Sequence, residues 1–207
     1  MLIAMNNIFF SADAHIGHKN VLKYMPNRPY ALEQDTKAHD EWLIELWQKT
    51  IDKRDRVYFA GDLTFYGSED ARRLLEKLPG EKYISTGNHD ESIKSHLNYF
   101  RKASQIMDVT IKPSACDCIK EELRIVLCHY PLLDWPGKHQ GVIMLHGHCH
   151  GSMDEYNAQS VDLRFDIGID SALAKRAGGF IDIKTLYEAI MAKTNGLTPQ
   201  EYAKENY

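Results

Sequence analysis

The chain has 207 residues, 43% of them hydrophobic and 26% charged, which is material for one sizeable core, so a single domain spanning residues 1–207 is expected. Its formal net charge of −4, with acids and bases mixed along the whole length, offers no basic stripe for a nucleic-acid backbone, so long duplex nucleic acid is not an expected partner. The first seven residues lack a basic start and a long apolar stretch, and no later run approaches the roughly 20 apolar residues that cross a bilayer; a cytoplasmic protein without a membrane partner is the expectation.

In chain order, short runs rich in β-branched and aromatic residues read as buried strands, and each is followed at once by side chains able to bind metal. Ile8-Phe9-Phe10 precedes Asp13-Ala14-His15. A helical pattern from about Glu33 to Ile51 then sets Trp42, Leu43, Leu46 and Trp47 on one stripe, with His39 on the same apolar face. Val57-Tyr58-Phe59 precedes Gly61-Asp62, and a second helix from Ser68 to Leu78 opens on an N-cap signal and stops at Pro79-Gly80. Tyr83-Ile84 precedes Gly87-Asn88-His89-Asp90, Ile125-Val126-Leu127 precedes His129, and Val142-Ile143-Met144-Leu145 leads to Gly147-His148-Cys149-His150. Towards the end, Gly196 can stop a helix, and Thr198-Pro199-Gln200-Glu201 combines a capping box with proline at the first helical position. Cys116, Cys118, Cys128 and Cys149 are too few and too unevenly spaced for a disulfide framework, so reduced thiols are expected.

Strands alternating with helices indicate an α/β protein. In open α/β sheets ligands bind outside the carboxyl ends of the strands, so the five polar segments are expected to converge on one site. Glycines before Asp62, Asn88 and His148 let the backbone turn sharply there and leave room for an ion or a phosphate. A donor set of imidazoles, carboxylates and an amide suits Mn, Zn or Fe better than Ca or Mg. An aspartate such as Asp62 can bridge two ions roughly 3.5–4 Å apart, the spacing typical of two-metal hydrolases, and the water between them is then a nucleophile.

The ordered blocks D-x-H, G-D, G-N-H-[DE], H and G-H-x-H, here from Asp13 to His150, resemble the calcineurin-like metallophosphoesterases. The resemblance implies two mixed β-sheets packed as a four-layer sandwich flanked by helices. It implies one metal on Asp13, His15, Asp62 and His150, and a second on Asp62, Asn88, His129 and His148, with Asp62 bridging. It makes His89 the catalytic histidine, able to protonate or stabilise the leaving oxygen. After Gly61-Asp62 the chain continues Leu63-Thr64-Phe65-Tyr66-Gly67 and lacks the V-D-R-G of the protein phosphatases and symmetrical dinucleotide hydrolases. A compact site for a small phosphate ester is the expectation.

Charge favours a diester. Two divalent ions bring four positive charges and Asp13 with Asp62 return two, which leaves room for a hydroxide and a phosphodiester monoanion but not for a monoester dianion. Two other readings stay open: a metal-dependent nuclease on short single strands, and a non-catalytic binding module on the same fold. Around the centre, His18 either lines the phosphate pocket or packs its loop, with Asn20 a weaker candidate. Asp90 either orients His89 or is a solvated loop carboxylate. Arg164, in the charged run of Asp162, Asp166 and Asp170, either reaches a phosphate from the far wall or belongs to an alternating strand. His96 and His139 read as surface residues, and His146 and Cys149 as buried ones.

Overall fold

The computed structural model describes residues 7–207; Met1 to Asn6, most of the stretch read above for a leader, lie outside the described residues. Its helices are α1 (Val21–Tyr24), α2 (Thr36–Thr50), α3 (Ser68–Lys77), α4 (Asp154–Gln159), α5 (Ala172–Ala177), α6 (Ile183–Lys193) and α7 (Pro199–Asn206). Among the described residues none is long and apolar enough to cross a membrane.

One sheet is built on β1 (Ile8–Ser11), β2 (Arg56–Phe59), β3 (Glu81–Ser85) and β4 (Lys102–Ser104), all parallel. The other contains β5 (Ile106–Ile111) antiparallel to β6 (Leu123–Cys128), with β7 (Ile143–His146) and β8 (Arg164–Asp166) continuing parallel to β6. A short β9 (Ile181–Asp182) closes the first sheet antiparallel to β1, so both sheets are mixed, in orders β4-β3-β2-β1-β9 and β5-β6-β7-β8.

Alternation along the strands sorts the apolar side chains into layers. Ile8, Phe10 and Tyr58 face inward, against Ile125, Leu127, Ile143 and Leu145 of the opposing sheet, and α5 and α6 add Ala174, Leu186 and Ile190 to the same core. Phe9, Val57, Phe59 and Ile84 face outward, beneath Leu43 and Trp47 of α2 and Leu74 and Leu75 of α3. Each fully buried large side chain contributes about 1.5–3 kcal/mol, which is what holds the strand ends in place. Over the second sheet, Val126, Cys128 and Met144 lie beneath Trp135 and Val142 of the following loop. This is the α/β sandwich with flanking helices that the resemblance implies.

Local signals fare well in detail. Asp35, not Glu33, starts α2, its side chain accepting from Ala38 N. The capping box of Thr198 and Glu201 forms at α7, and Gly196 takes φ 85° after α6. Ser68 does not cap α3; Gly67 holds that position, and Ser68 Oγ instead meets His96 Nε2 at 2.9 Å. Cys116 and Cys118 are joined by a disulfide, which corrects the expectation of reduced thiols for that pair; Cys128 and Cys149 are free.

Candidate metal centre

The loops that leave β1, β2, β6 and β7 are laced together by backbone hydrogen bonds. Asp13 N donates to Gly61 O, His15 N to Asp62 O and Gly147 N to His129 O, each at 3.0 Å. Strand geometry ends abruptly at this rim. Of the eight described non-glycine residues with positive φ, five are Asp13 (59°), His15 (53°), Asp62 (57°), His148 (69°) and His150 (48°). Backbone in this region is costly for an L-residue and gathers where function requires it.

The side chains converge as their strand contexts predict. Ligand-capable atoms of Asp13, His15 and His150 lie within 4.8 Å of one another, and so do those of Asp13, Asp62 and His129. Asp62 Oδ2 lies between the two groups, 3.6 Å from His15 Nε2 and 3.5 Å from His129 Nε2. His129 Nε2 is also 2.9 Å from Asn88 Oδ1 and 3.2 Å from His148 Nδ1. Asp13 is common to both groups, besides the expected bridge Asp62. Glycine makes the approach feasible: a Cβ on Gly87 would sit 2.2 Å from Asp62 Oδ1, and one on Gly61 2.5 Å from Gly87 N.

Hydrogen bonding shows that a cation fits this cluster. His129 Nδ1 faces the carbonyl of Ala60 at 2.8 Å and must donate to it, so in the neutral ring Nε2 presents a lone pair to Asn88 Oδ1 and Asp62 Oδ2, themselves acceptors. His150 Nδ1 donates to Asp170 Oδ2 at 2.7 Å, which likewise frees its Nε2. His15 Nε2 is buried without any hydrogen-bond partner. Acceptors that converge on one another and an orphaned imidazole nitrogen are what a metal ion would satisfy.

Titration behaviour agrees. Burial, then the neighbouring imidazole of His150 and the Arg28 guanidinium, pushes His15 down to about 2, and burial with His129 nearby lowers His148, so both rings are neutral donors at ordinary pH. Burial and the carboxylates of Asp166 and Asp62 push Asp13 well above the usual carboxylate range, the response of an anion lacking positive charge.

Around this cluster the structure sharpens several readings. His89 is exposed at the rim; its backbone N–H donates to Asp62 Oδ1 at 2.9 Å, and its ring lies 4.6 Å from Phe65 and 5.9 Å from His15. His18 packs edge-on against Phe65 at 4.3 Å, and burial lowers its pKa. Asn20 is exposed. Asp90 neither orients the His89 ring nor meets solvent. It is fully buried, and its carboxylate accepts from Asp62 N and Gly87 N at 2.8 Å and from Leu63 N at 2.9 Å, tying the loop after β2 to the loop after β3. Arg164 does not turn toward the metal cluster: its Nε donates to Asn157 Oδ1 and its Nη1 to Leu132 O, both at 2.8 Å. His146 is buried, bonded to Gly147 O and Asn157; His39 is buried in the core; Cys149 is only half-buried; His139 is exposed and His96 half-exposed.

The guanidinium at the centre is Arg28, which the sequence reading missed. It is buried, pairs with both oxygens of Asp170 (Nε–Oδ1 2.9 Å, Nη2–Oδ2 2.6 Å), and donates to the carbonyls of Ala14 (3.0 Å) and Asp13 (2.6 Å). Asp166 was likewise seen only as strand charge. Its carboxylate accepts from Gly151 N and Gly168 N, and burial lifts it to about 6.

No family model matches the chain. Curated relatives are the gene 66 protein of Mycobacterium phage D29, 29% identical over 165 residues (70% of this chain, 79% of the relative), and an uncharacterized protein of Methanocaldococcus jannaschii, 29% identical over 157 residues (74% and 76%). The gene 66 protein of Mycobacterium phage L5 is 26% identical over 170 residues (72% and 80%). A solved structure of a protein of unknown function from Aquifex aeolicus superimposes with a TM-score of 0.64 at 19% identity, covering 89% of this chain and 99% of that one, and so shares the fold.

Proposed function

We propose that this chain is a dimetal phosphohydrolase of the calcineurin-like metallophosphoesterase type, acting on a small phosphodiester. One observation carries the reading: seven donor side chains from five strand ends converge around Asp62 Oδ2. The ligand sets follow the motif. Asp13, His15, Asp62 and His150 would hold one cation, and Asp62, Asn88, His129 and His148 the other. Two divalent ions such as Mn, Zn or Fe, when bound, supply Lewis-acid charge to the phosphoryl oxygens and make a water acidic enough to attack near neutral pH.

The remaining chemistry belongs to side chains of this chain. Ala60 O and Asp170 fix the tautomers of His129 and His150, so that each offers Nε2 inward. His89 stands outside the ligand cluster at its exposed rim and would hold a proton for the departing ester oxygen. Phe65 lies against His15, His18 and His89 and gives that flank an apolar surface. Arg28 and Asp170 cancel one another's charge, while Asp166 adds a carboxylate near Asp13. The extra negative charge counts further against a monoester dianion.

The test pairs two substitutions on metal-loaded protein assayed with diester and monoester substrates. Asp62→Asn should abolish turnover and lower the bound metal count, whereas His89→Asn should lower kcat by about 10²–10⁴-fold with both ions retained. Metal-stimulated turnover that survives both changes, or a preference for monoesters, would sink the assignment.

A further inference from the structure

A cavity of about 250 Å³ opens beside the metal centre, and its lining is unlike that of the centre itself. His15 and His150 border it on one side, and His89 overlooks it. Its other walls are Val21, Tyr24, Met25, Phe65 and His18, with no lysine, arginine, aspartate or glutamate among its lining residues. The rings form a continuous series. His18 lies 6.1 Å from Tyr24 and 4.3 Å from Phe65, at a plane angle of 80° to the latter, and Phe65 lies 4.6 Å from His89.

Folding accounts for Val21 and Met25 in this wall but not for Tyr24. Helix α1 is only four residues long, held by Val21 and Leu22 in a small cluster with Ala31 that is separate from the main cores. Its Tyr24 ring is 67% exposed and so adds little to stability, yet it stands at the cavity. The volume is below the roughly 300–1,000 Å³ of pockets that enclose drug-sized ligands, and suits one ring system. A second phosphate or a carboxylate would find no lysine or arginine there.

We infer that this cavity is a subsite for a planar, uncharged aromatic group on the ester, and that Tyr24 and Phe65 determine the preference for it. The inference rests on the proposed phosphoester chemistry and names its substrate class: esters whose departing group carries an aromatic ring or nucleobase, in preference to alkyl esters and to nucleoside di- and triphosphates. The departing side is the one identified because His89, the residue placed to protonate the leaving oxygen, borders the same cavity.

Two small phosphonates test it without turnover. Phenylphosphonate and methylphosphonate are titrated calorimetrically into the manganese-loaded full chain at a pH below their second ionisation, where each is a monoanion like the proposed diester, with bound metal counted on the same samples. The wild-type protein should bind the phenyl compound about 5- to 100-fold more tightly, the span expected for one ring stacked on aromatic side chains. Tyr24→Ala and Phe65→Leu should each reduce that ratio by about threefold or more, the scale of a single aromatic contact. Tyr30→Ala, an exposed aromatic outside the cavity lining, should leave the ratio unchanged. Equal binding of both compounds by the wild type, or a ratio that neither Tyr24→Ala nor Phe65→Leu alters, would overturn the subsite while leaving phosphate capture at the metals standing. Failure of either phosphonate to bind protein that holds its metals would overturn the phosphoester reading and the subsite with it.

Discussion

Asp170→Ala is the most informative single change outside the ligand set. In the folded protein Asp170 accepts two hydrogen bonds from Arg28 and one from His150. Its loss leaves the Arg28 guanidinium, only 6% exposed, with two backbone carbonyls and no counter-charge. Removing one partner of a buried ion pair costs about 3–5 kcal/mol. At about 2–4 °C per kcal/mol for a domain of this size, Tm should fall by roughly 6–20 °C in a calorimetric scan. His150 also loses the acceptor that fixes its tautomer, so affinity at one metal site should fall by about 10–100-fold in a metal titration. The two effects separate in the double variant Arg28→Met with Asp170→Leu, where apolar replacement of both charges should restore most of the stability but not the metal affinity. The acid limb gives a further check. Burial alone would raise the Asp170 carboxyl, but bonds from His150 and Arg28 outweigh it and hold the group below the ordinary range. A depressed folded pKa stabilises the protein above the unfolded value near ~3.9 and is lost as pH falls through the folded value, so Asp170→Asn should flatten the loss of stability below about pH 4. An Asp170→Ala protein with an unchanged Tm and two tightly held metals would refute this account.

Two further outcomes follow from the same geometry. Asp90→Asn puts an amide where a carboxylate oxygen now accepts from Asp62 N and Gly87 N, and should cost about 2–6 kcal/mol in urea unfolding; a midpoint within error of wild type would show that the clamp is dispensable. Chelation of the metals should lower Tm, since each ion present at 100 times its Kd contributes about 2.7 kcal/mol, and Asp62→Asn should lose most of that chelator response.

Much of the centre was legible because each strand's apolar run stops where its ligand begins, a pattern that survives without any knowledge of tertiary contacts. The seven donors and His89 all come from such junctions. What was missed depends on contacts distant in sequence. Arg28 sits in Pro26-Asn27-Arg28-Pro29, where nothing local signals that its side chain reaches Asp170, 142 residues further on. Asp170 itself looked like strand charge because its partner was invisible. Asp90 adjoins His89 in sequence, yet it faces inward to the backbone of the β2 loop. In the fold, β4 and β9 are too short for a periodic signal, but β5 had one: Met107, Val109 and Ile111 are buried in alternation with exposed neighbours, and the alternation was there to be read.

Backbone strain explains why the centre needs so much bracing. At about 1–2 kcal/mol for each non-glycine residue in the left-handed region, the five strained residues at the rim carry roughly 5–10 kcal/mol. That is comparable with the whole stability of an ordinary domain, about 5–15 kcal/mol. Such turns persist only if the surroundings over-determine them, and the structure supplies two braces of opposite charge. The Asp90 carboxylate gathers backbone N–H groups from the loops after β2 and β3, while the Arg28 guanidinium gathers carbonyls from the loop after β1 and fixes Asp170. One anion collects donors and one cation collects acceptors, so the termini of the parallel strands are held from both sides. Neither brace touches Asp62 Oδ2, His15 Nε2 or His129 Nε2, so these atoms stay directed inward, where His15 Nε2 has no hydrogen-bond partner. The strain thus holds the ligands splayed around a common point, and a cation at that point would satisfy His15 Nε2, a buried nitrogen without a hydrogen-bond partner.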